Sequence, residues 1–162
     1  NQVRSQDIEG LILISPSDMI GLVHDPIGIK DHEKLLPEAI ELIRQGKPRQ
    51  LLSHYLWESV MLSAQSYISF FGENAKDAIF NYSNQKLGWY VVNSINVPVI
   101  SITGTSDDGI APVMNAYEAI KLLEKQLVNS TRKKTVVYEN AKHSFEGYED
   151  NIINDVIHFL NQ

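Results

Sequence analysis

Three short apolar runs organise this chain, at residues 8–14, 97–103 and 135–138. The first carries Leu11, Ile12, Leu13 and Ile14 and stops at Ser15-Pro16. The second carries Val97, Val99, Ile100 and Ile102 and closes at Gly104. The third, Thr135-Val136-Val137-Tyr138, follows a basic loop. Runs this short and this apolar are expected of strands covered on both faces, so each is predicted as a strand of a parallel sheet. Between the second and third, the spacing predicts a helix, with Pro112 in its first turn and Val113, Ala116, Ile120, Leu123 and Leu127 on one face. A last helix carries Ile152, Ile153, Val156, Ile157 and Leu160 as an apolar stripe. Glu149 and Asp150 stand near its N-terminus, where carboxylates suit the helix dipole. Strand, helix, strand, helix in that order implies an α/β fold, three parallel strands with flanking helices joined by right-handed crossovers.

Residues 17–94 break this alternation. Two helical patterns lie within them: 33–45, with Leu35, Leu36, Ala39, Ile40 and Ile43, and 56–71, with Trp57, Val60, Met61, Ala64, Tyr67, Ile68 and Phe71. A structureless loop of that length is improbable inside a compact domain, so 17–94 reads as a helical insertion packed over the strand ends, a cap. Residues 1–7 read as a connecting loop. Three strands would leave a hydrophobic edge unpaired, which native sheets avoid. More sheet is therefore expected from missing upstream sequence, or from a second copy pairing as a dimer.

Composition narrows the function. The 162 residues carry a net charge of −6, and 43% are hydrophobic against 21% charged, as in ordinary globular domains. An acidic chain with one basic cluster, Arg132-Lys133-Lys134, offers no face for nucleic acid. There is no cysteine, so disulfide and thiolate chemistry are excluded and a reducing cytoplasm is the favoured compartment. The apolar runs are too short to cross a bilayer, no membrane association is expected, and no signal peptide is read in this stretch. No glycine-rich loop of the phosphate-cradling type is present.

The chemistry sits after the second and third strands. Parallel sheets bind ligands beyond the carboxyl ends of their strands, and Asp107 and His143 each follow such an end. A histidine near neutral pKa can take a proton from a hydroxyl and return it to a leaving group. A carboxylate on its other ring nitrogen fixes the tautomer and stabilises the imidazolium.

In the segments 97–107 (Val97-Pro98-Val99-Ile100-Ser101-Ile102-Thr103-Gly104-Thr105-Ser106-Asp107) and 138–145 (Tyr138-Glu139-Asn140-Ala141-Lys142-His143-Ser144-Phe145), the chain resembles the C-terminal portion of the α/β-hydrolase fold family. That family's triad runs Ser, acid, His along the chain. The resemblance implies the sixth to eighth strands of that fold, Asp107 as triad acid, His143 as general base and no cofactor. The family's G-x-S-x-G elbow is missing. Ser106 follows Gly104 at the right offset, but Asp108 stands where the second glycine belongs. Ser144 adjoins His143, which makes a hydroxyl-to-imidazole geometry awkward. The nucleophilic serine and the oxyanion loop are thus expected in a missing N-terminal half, and this chain by itself is expected to be inactive. Residues 62–72 (Leu62-Ser63-Ala64-Gln65-Ser66-Tyr67-Ile68-Ser69-Phe70-Phe71-Gly72) are similar to the branch of the family that includes fungal siderophore esterases.

Other residues carry weaker alternatives. Asp18 could replace Asp107 as the acid, because some members of that family carry it after the sixth strand. Asp108 is read as a cap of the following helix, and Gly109 as a turn residue. His24 and His32, near Asp25, Asp31 and Glu33, lack the spacing of a metal site, and no metal is expected. His54 and His158 are read as structural or exposed. The aromatics Tyr55, Trp57, Tyr67, Phe70, Phe71, Trp89 and Tyr90 either line an acyl pocket or pack the cap, packing being the plainer reading. The expected function is a serine esterase acting on a small-molecule carboxylic ester or related acyl substrate. The rival is a non-catalytic α/β domain that binds a partner through its open sheet edge.

Overall fold

The computed structural model describes residues 8–23, 31–72 and 75–162, so the loop expected at 1–7, and His24 and Asp25, lie outside the described residues. Strands β1 (Leu11–Ile14), β2 (Val99–Gly104) and β3 (Lys133–Tyr138) form an all-parallel sheet in the order β1-β2-β3. Helices α1 (His32–Arg44), α2 (Ala64–Phe71) and the single turn α3 (Tyr90–Asn93) lie between β1 and β2 in sequence. Helix α4 (Ala116–Gln126) joins β2 to β3, and α5 (Glu149–Leu160) follows β3. The fold is α/β, with flanking helices on the sheet.

The central strand explains why the apolar runs were visible. Every residue of β2 is buried. Val99 packs with Ala119, Leu123 and Leu127 toward α4, and Ile100 and Ile102 pack with Phe159 of α5 on the other face. The edge strand β1 departs from the expected cover on both faces. Leu11 and Leu13 pack into the α4-side core, but Ile12 and Ile14 are 47% and 49% exposed. They pair with Ile100 and Ile102, so they share the α5 face of the sheet. On α5 itself, Ile152 and Val156 pack inward, while Ile153, Ile157 and Leu160 are exposed. Among the described residues, an apolar strip on this face and the outer edge of β1 are uncovered.

Helices α1 and α2 pack on one another around Leu35, Ala39, Leu52, Ala64, Tyr67 and Phe71, a core separate from the two that flank the sheet. The helix predicted over 33–45 is present almost residue for residue. The one predicted over 56–71 is shorter. Residues 56–60 form a tight turn closed by a Leu56–Val60 bridge, with Trp57 and Glu58 in the left-handed region (φ 49° and 59°). The helix starts only after Ser63, whose hydroxyl accepts from the Ser66 amide at 3.2 Å and caps it. Trp57 and Val60 are exposed on this turn, so their helical spacing did not mark a buried helical face.

Helix α4 also starts later than Pro112. Asn115 caps it, its side chain accepting from the Tyr117 amide at 3.0 Å, so Asp108 is not its cap. Residues after Asp107 form successive turns instead, with the Ile110 and Ala111 amides donating to the Asp107 carbonyl at 3.1 and 2.7 Å.

Candidate active site

Asp107 and His143 meet at the carboxyl ends of β2 and β3. Register brings Gly104 opposite Tyr138, and the Thr105 amide continues the ladder to the Tyr138 carbonyl at 3.0 Å. The loops that follow then touch. Gly104 makes this possible: a Cβ on it would lie 2.1 Å from the Ala141 carbonyl oxygen, closer than any side chain permits. Beyond this contact, His143 Nδ1 lies 2.9 Å from Asp107 Oδ1.

Asp107 is fully buried, and donors surround its carboxylate. Oδ1 accepts from the Gly109 amide at 2.9 Å as well as from His143. Oδ2 accepts a hydrogen bond from the Ser15 hydroxyl at the end of β1. Gly109 is more than a turn residue: a Cβ there would stand 2.2 Å from Ser17 Oγ and 3.1 Å from His143 Nδ1. Its missing side chain lets the imidazole approach the acid.

His143 has its side chain 55% exposed against 0% for Asp107. A carboxylate oxygen can only accept, so Nδ1 carries the proton and Nε2 keeps a lone pair. Among the described residues Nε2 has no hydrogen-bond partner. The hydrogen bond to Asp107 raises the His143 pKa above its ordinary value, against partial burial, and the charges of Asp107 and Asp108 push the same way. The arrangement is an exposed base whose orientation and tautomer are set by a buried acid.

A cleft of about 430 Å³ opens beside the imidazole. Ile12, Ile14, Met19, Phe70 and Phe80 give it an apolar wall, and Ser15, Ser17, Asp77 and His143 supply polar groups. Of the aromatics considered from the sequence, Phe70 is on this wall. Tyr67, Phe71 and Trp89 are buried in packing, while Tyr55, Trp57 and Tyr90 are exposed. Burial drives the Tyr67 hydroxyl pKa well above its ordinary value.

Asp18 is also fully buried, but it faces away from the histidine. Its Oδ1 accepts from the Gly21 amide at 2.7 Å, and its Oδ2 from the Ser83 amide and hydroxyl, both at 2.7 Å. This carboxylate pins residues 18–21 to the segment before α3. Replacing Asp18 by Ala is expected to destabilise the fold by about 1–3 kcal/mol for each buried donor left unpaired, without moving the His143 titration. Urea unfolding and NMR titration check this, and a shifted His143 midpoint would make Asp18 part of the site.

The remaining candidates separate cleanly. Ser106 and Ser144 are exposed. His32 Nδ1 bonds the Tyr67 hydroxyl at 2.7 Å, His54 bonds Ser53, and His158 bonds Gln162. Asp107, Asp108 and His143 bring three ligand-type atoms within 4.8 Å of one another. Asp107 and His143 already satisfy each other there, so the trio is a hydrogen-bonded acid–base unit with Asp108 at its exposed rim.

Nothing in the local sequence marks Ser15 as a site residue. It ends the first apolar run and precedes a proline, so it read as punctuation. Only its position at the carboxyl end of a parallel strand could have drawn attention to it. Compared with known proteins, the chain matches no protein-family model and no curated protein.

Proposed function

We propose that this chain carries the acid and the base of a serine hydrolase of the α/β-hydrolase type, acting on carboxylic esters or related acyl substrates. The observation that carries the reading is the Asp107–His143 pair, 2.9 Å apart at neighbouring strand ends, with the imidazole exposed toward an apolar cleft. His143 Nε2 takes the proton from a serine hydroxyl as that oxygen attacks the acyl carbon, and gives it to the departing alkoxide. Asp107 holds Nδ1 and balances the imidazolium charge. A water repeats the cycle on the acyl-enzyme, with its proton going to Nε2 and then to the serine. Residues 17–94 act as a cap whose Met19, Phe70 and Phe80 side chains meet the acyl group. No cofactor enters this chemistry.

The nucleophile comes from polypeptide outside this chain that pairs with the open edge of β1. The exposed Ile153, Ile157 and Leu160 of α5 support such a partner, since an apolar strip on a sheet with an open strand edge is a docking surface for more sheet and helix. The same strip favours the second reading, a non-catalytic domain that pairs through β1.

Fluorophosphonate labelling read by intact mass separates the two. The chain alone is expected to stay unlabelled. Supplied with its nucleophile segment, the assembly takes the label, and His143→Ala abolishes it. A label on this chain, or labelling that survives His143→Ala, sinks the proposal. The labelling rate should climb with pH through the His143 midpoint, above about pH 6.5, because only the neutral imidazole is a base. The same raised pKa stabilises the fold fully below the unfolded-state pKa, and that contribution fades as pH rises through the folded one.

A further inference from the structure

One group at the site has no part in proton transfer. Ser15 is buried at the end of β1, and its amide still donates to the Ile102 carbonyl at 2.9 Å, extending the ladder by one residue. Its backbone then turns into the left-handed region, φ 54°, which a non-glycine residue keeps only when surrounding contacts enforce it. Those contacts are specific. The Ser15 hydroxyl donates to Asp107 Oδ2 and lies 3.0 Å from His143 Nδ1, and the Ser15 carbonyl accepts from Ser17 Oγ at 3.0 Å.

Ser15 is badly placed to be a nucleophile. It shares Nδ1 with the acid, whereas a triad serine must face the opposite ring nitrogen. It is well placed to hold the acid. Oδ1 of Asp107 has two donors, the Gly109 amide and His143, while among the described residues Oδ2 has Ser15 alone. Without that hydroxyl, a fully buried carboxylate oxygen lacks a donor and the group turns to recover one.

We infer that Ser15 is a positioning residue, whose hydroxyl fixes the Asp107 carboxylate so that Oδ1 stays on His143 Nδ1 and Nε2 remains the basic nitrogen. This rests on the catalytic role proposed for the pair. The carboxylates facing the imidazole are Asp107 and Asp108, and Asp77 lines the same cleft. None of them replaces a donor to Oδ2.

The test is the tautomer of neutral His143, read from the ¹⁵N shifts of its ring nitrogens in the intact chain. Ser15→Ala and Ser15→Gly should both lower the ratio of the Nδ1–H to the Nε2–H form by about tenfold, the effect of losing one hydrogen bond to a charged group. The glycine variant keeps the test decisive if alanine fails to fold, because glycine accepts φ 54° without strain. A merely structural Ser15 predicts the opposite, a glycine variant whose tautomer ratio is unchanged, and that result overturns the inference. A fluorophosphonate adduct on Ser15 overturns it too, by making Ser15 the nucleophile. The two readings fail separately. A tautomer shift without labelling of the assembled protein leaves Ser15 positioning a pair that is not hydrolytic. Labelling without the shift leaves the hydrolase and removes Ser15.

Discussion

Asp107→Asn is expected to cut acyl turnover of the assembled protein by about 10⁴-fold while leaving the chain folded. The size follows from the hydrogen-bond inventory. The carboxylate accepts from Ser15, Gly109 and His143 at once, and it has no proton to offer. An amide of the same shape has one accepting and one donating end. If its oxygen stays on the Gly109 and His143 side, its NH₂ faces the Ser15 hydroxyl, which must reverse. If it flips, the NH₂ faces Nδ1, and the imidazole has to move its proton to Nε2, the nitrogen that should act as base. The first outcome replaces a charge-assisted hydrogen bond to Nδ1 by a neutral one and the second removes it, so in both the His143 midpoint falls toward its ordinary value. Ester hydrolysis and an NMR titration of His143 measure the two effects. Turnover within tenfold of the parent, or an unmoved midpoint, would show that the 2.9 Å contact has no catalytic consequence.

A structural effect that reaches the site is expected from Gly104→Ala. Its Cβ would meet the Ala141 carbonyl oxygen at 2.1 Å and the carbonyl carbon at 2.7 Å. These are backbone atoms, so no rotamer change relieves the clash, and the loops after β2 and β3 must part. Overpacking of this kind costs about 1–3 kcal/mol and occasionally more. The displaced loop carries His143, so the substitution should also lengthen the Asp107–His143 contact and lower the histidine's pKa. A urea midpoint and the same NMR titration test both consequences together. Unchanged stability would mean that the strand ends are not in the close approach described here.

Asp107 and Gly104 also show how much of the site was legible before the fold was known. Both lie at the end of an apolar run, in a segment whose motif can be read locally. His143 follows the next run in the same way. Asp107 and Asp18 were harder to separate, since each is an aspartate following a strand. What distinguishes them is the direction each carboxylate faces: Asp107 toward His143, Asp18 toward Gly21 and Ser83. Direction depends on turns such as those at 108–114, where the sequence suggested a helix already beginning near Pro112. The cleft was also unreadable, because Ile12 and Phe70, far apart in sequence, line it together only in the folded chain.

Local pattern was therefore enough for the three strands, the existence of α1, α4 and α5, and the order acid then histidine, though Ile40, Ile153, Ile157 and Leu160 of the expected apolar faces are exposed. A buried strand must be apolar along its length, and a packed helix must be apolar every third or fourth residue, so these features are written in neighbouring residues. Ser15 belongs to the other kind. It lies 92 residues from Asp107 and 128 from His143. Its role depends on strand register, a left-handed φ and the glycine-permitted approach of two loops. These are through-space conditions that no short stretch of sequence encodes, so tertiary structure alone brought that hydroxyl to the acid.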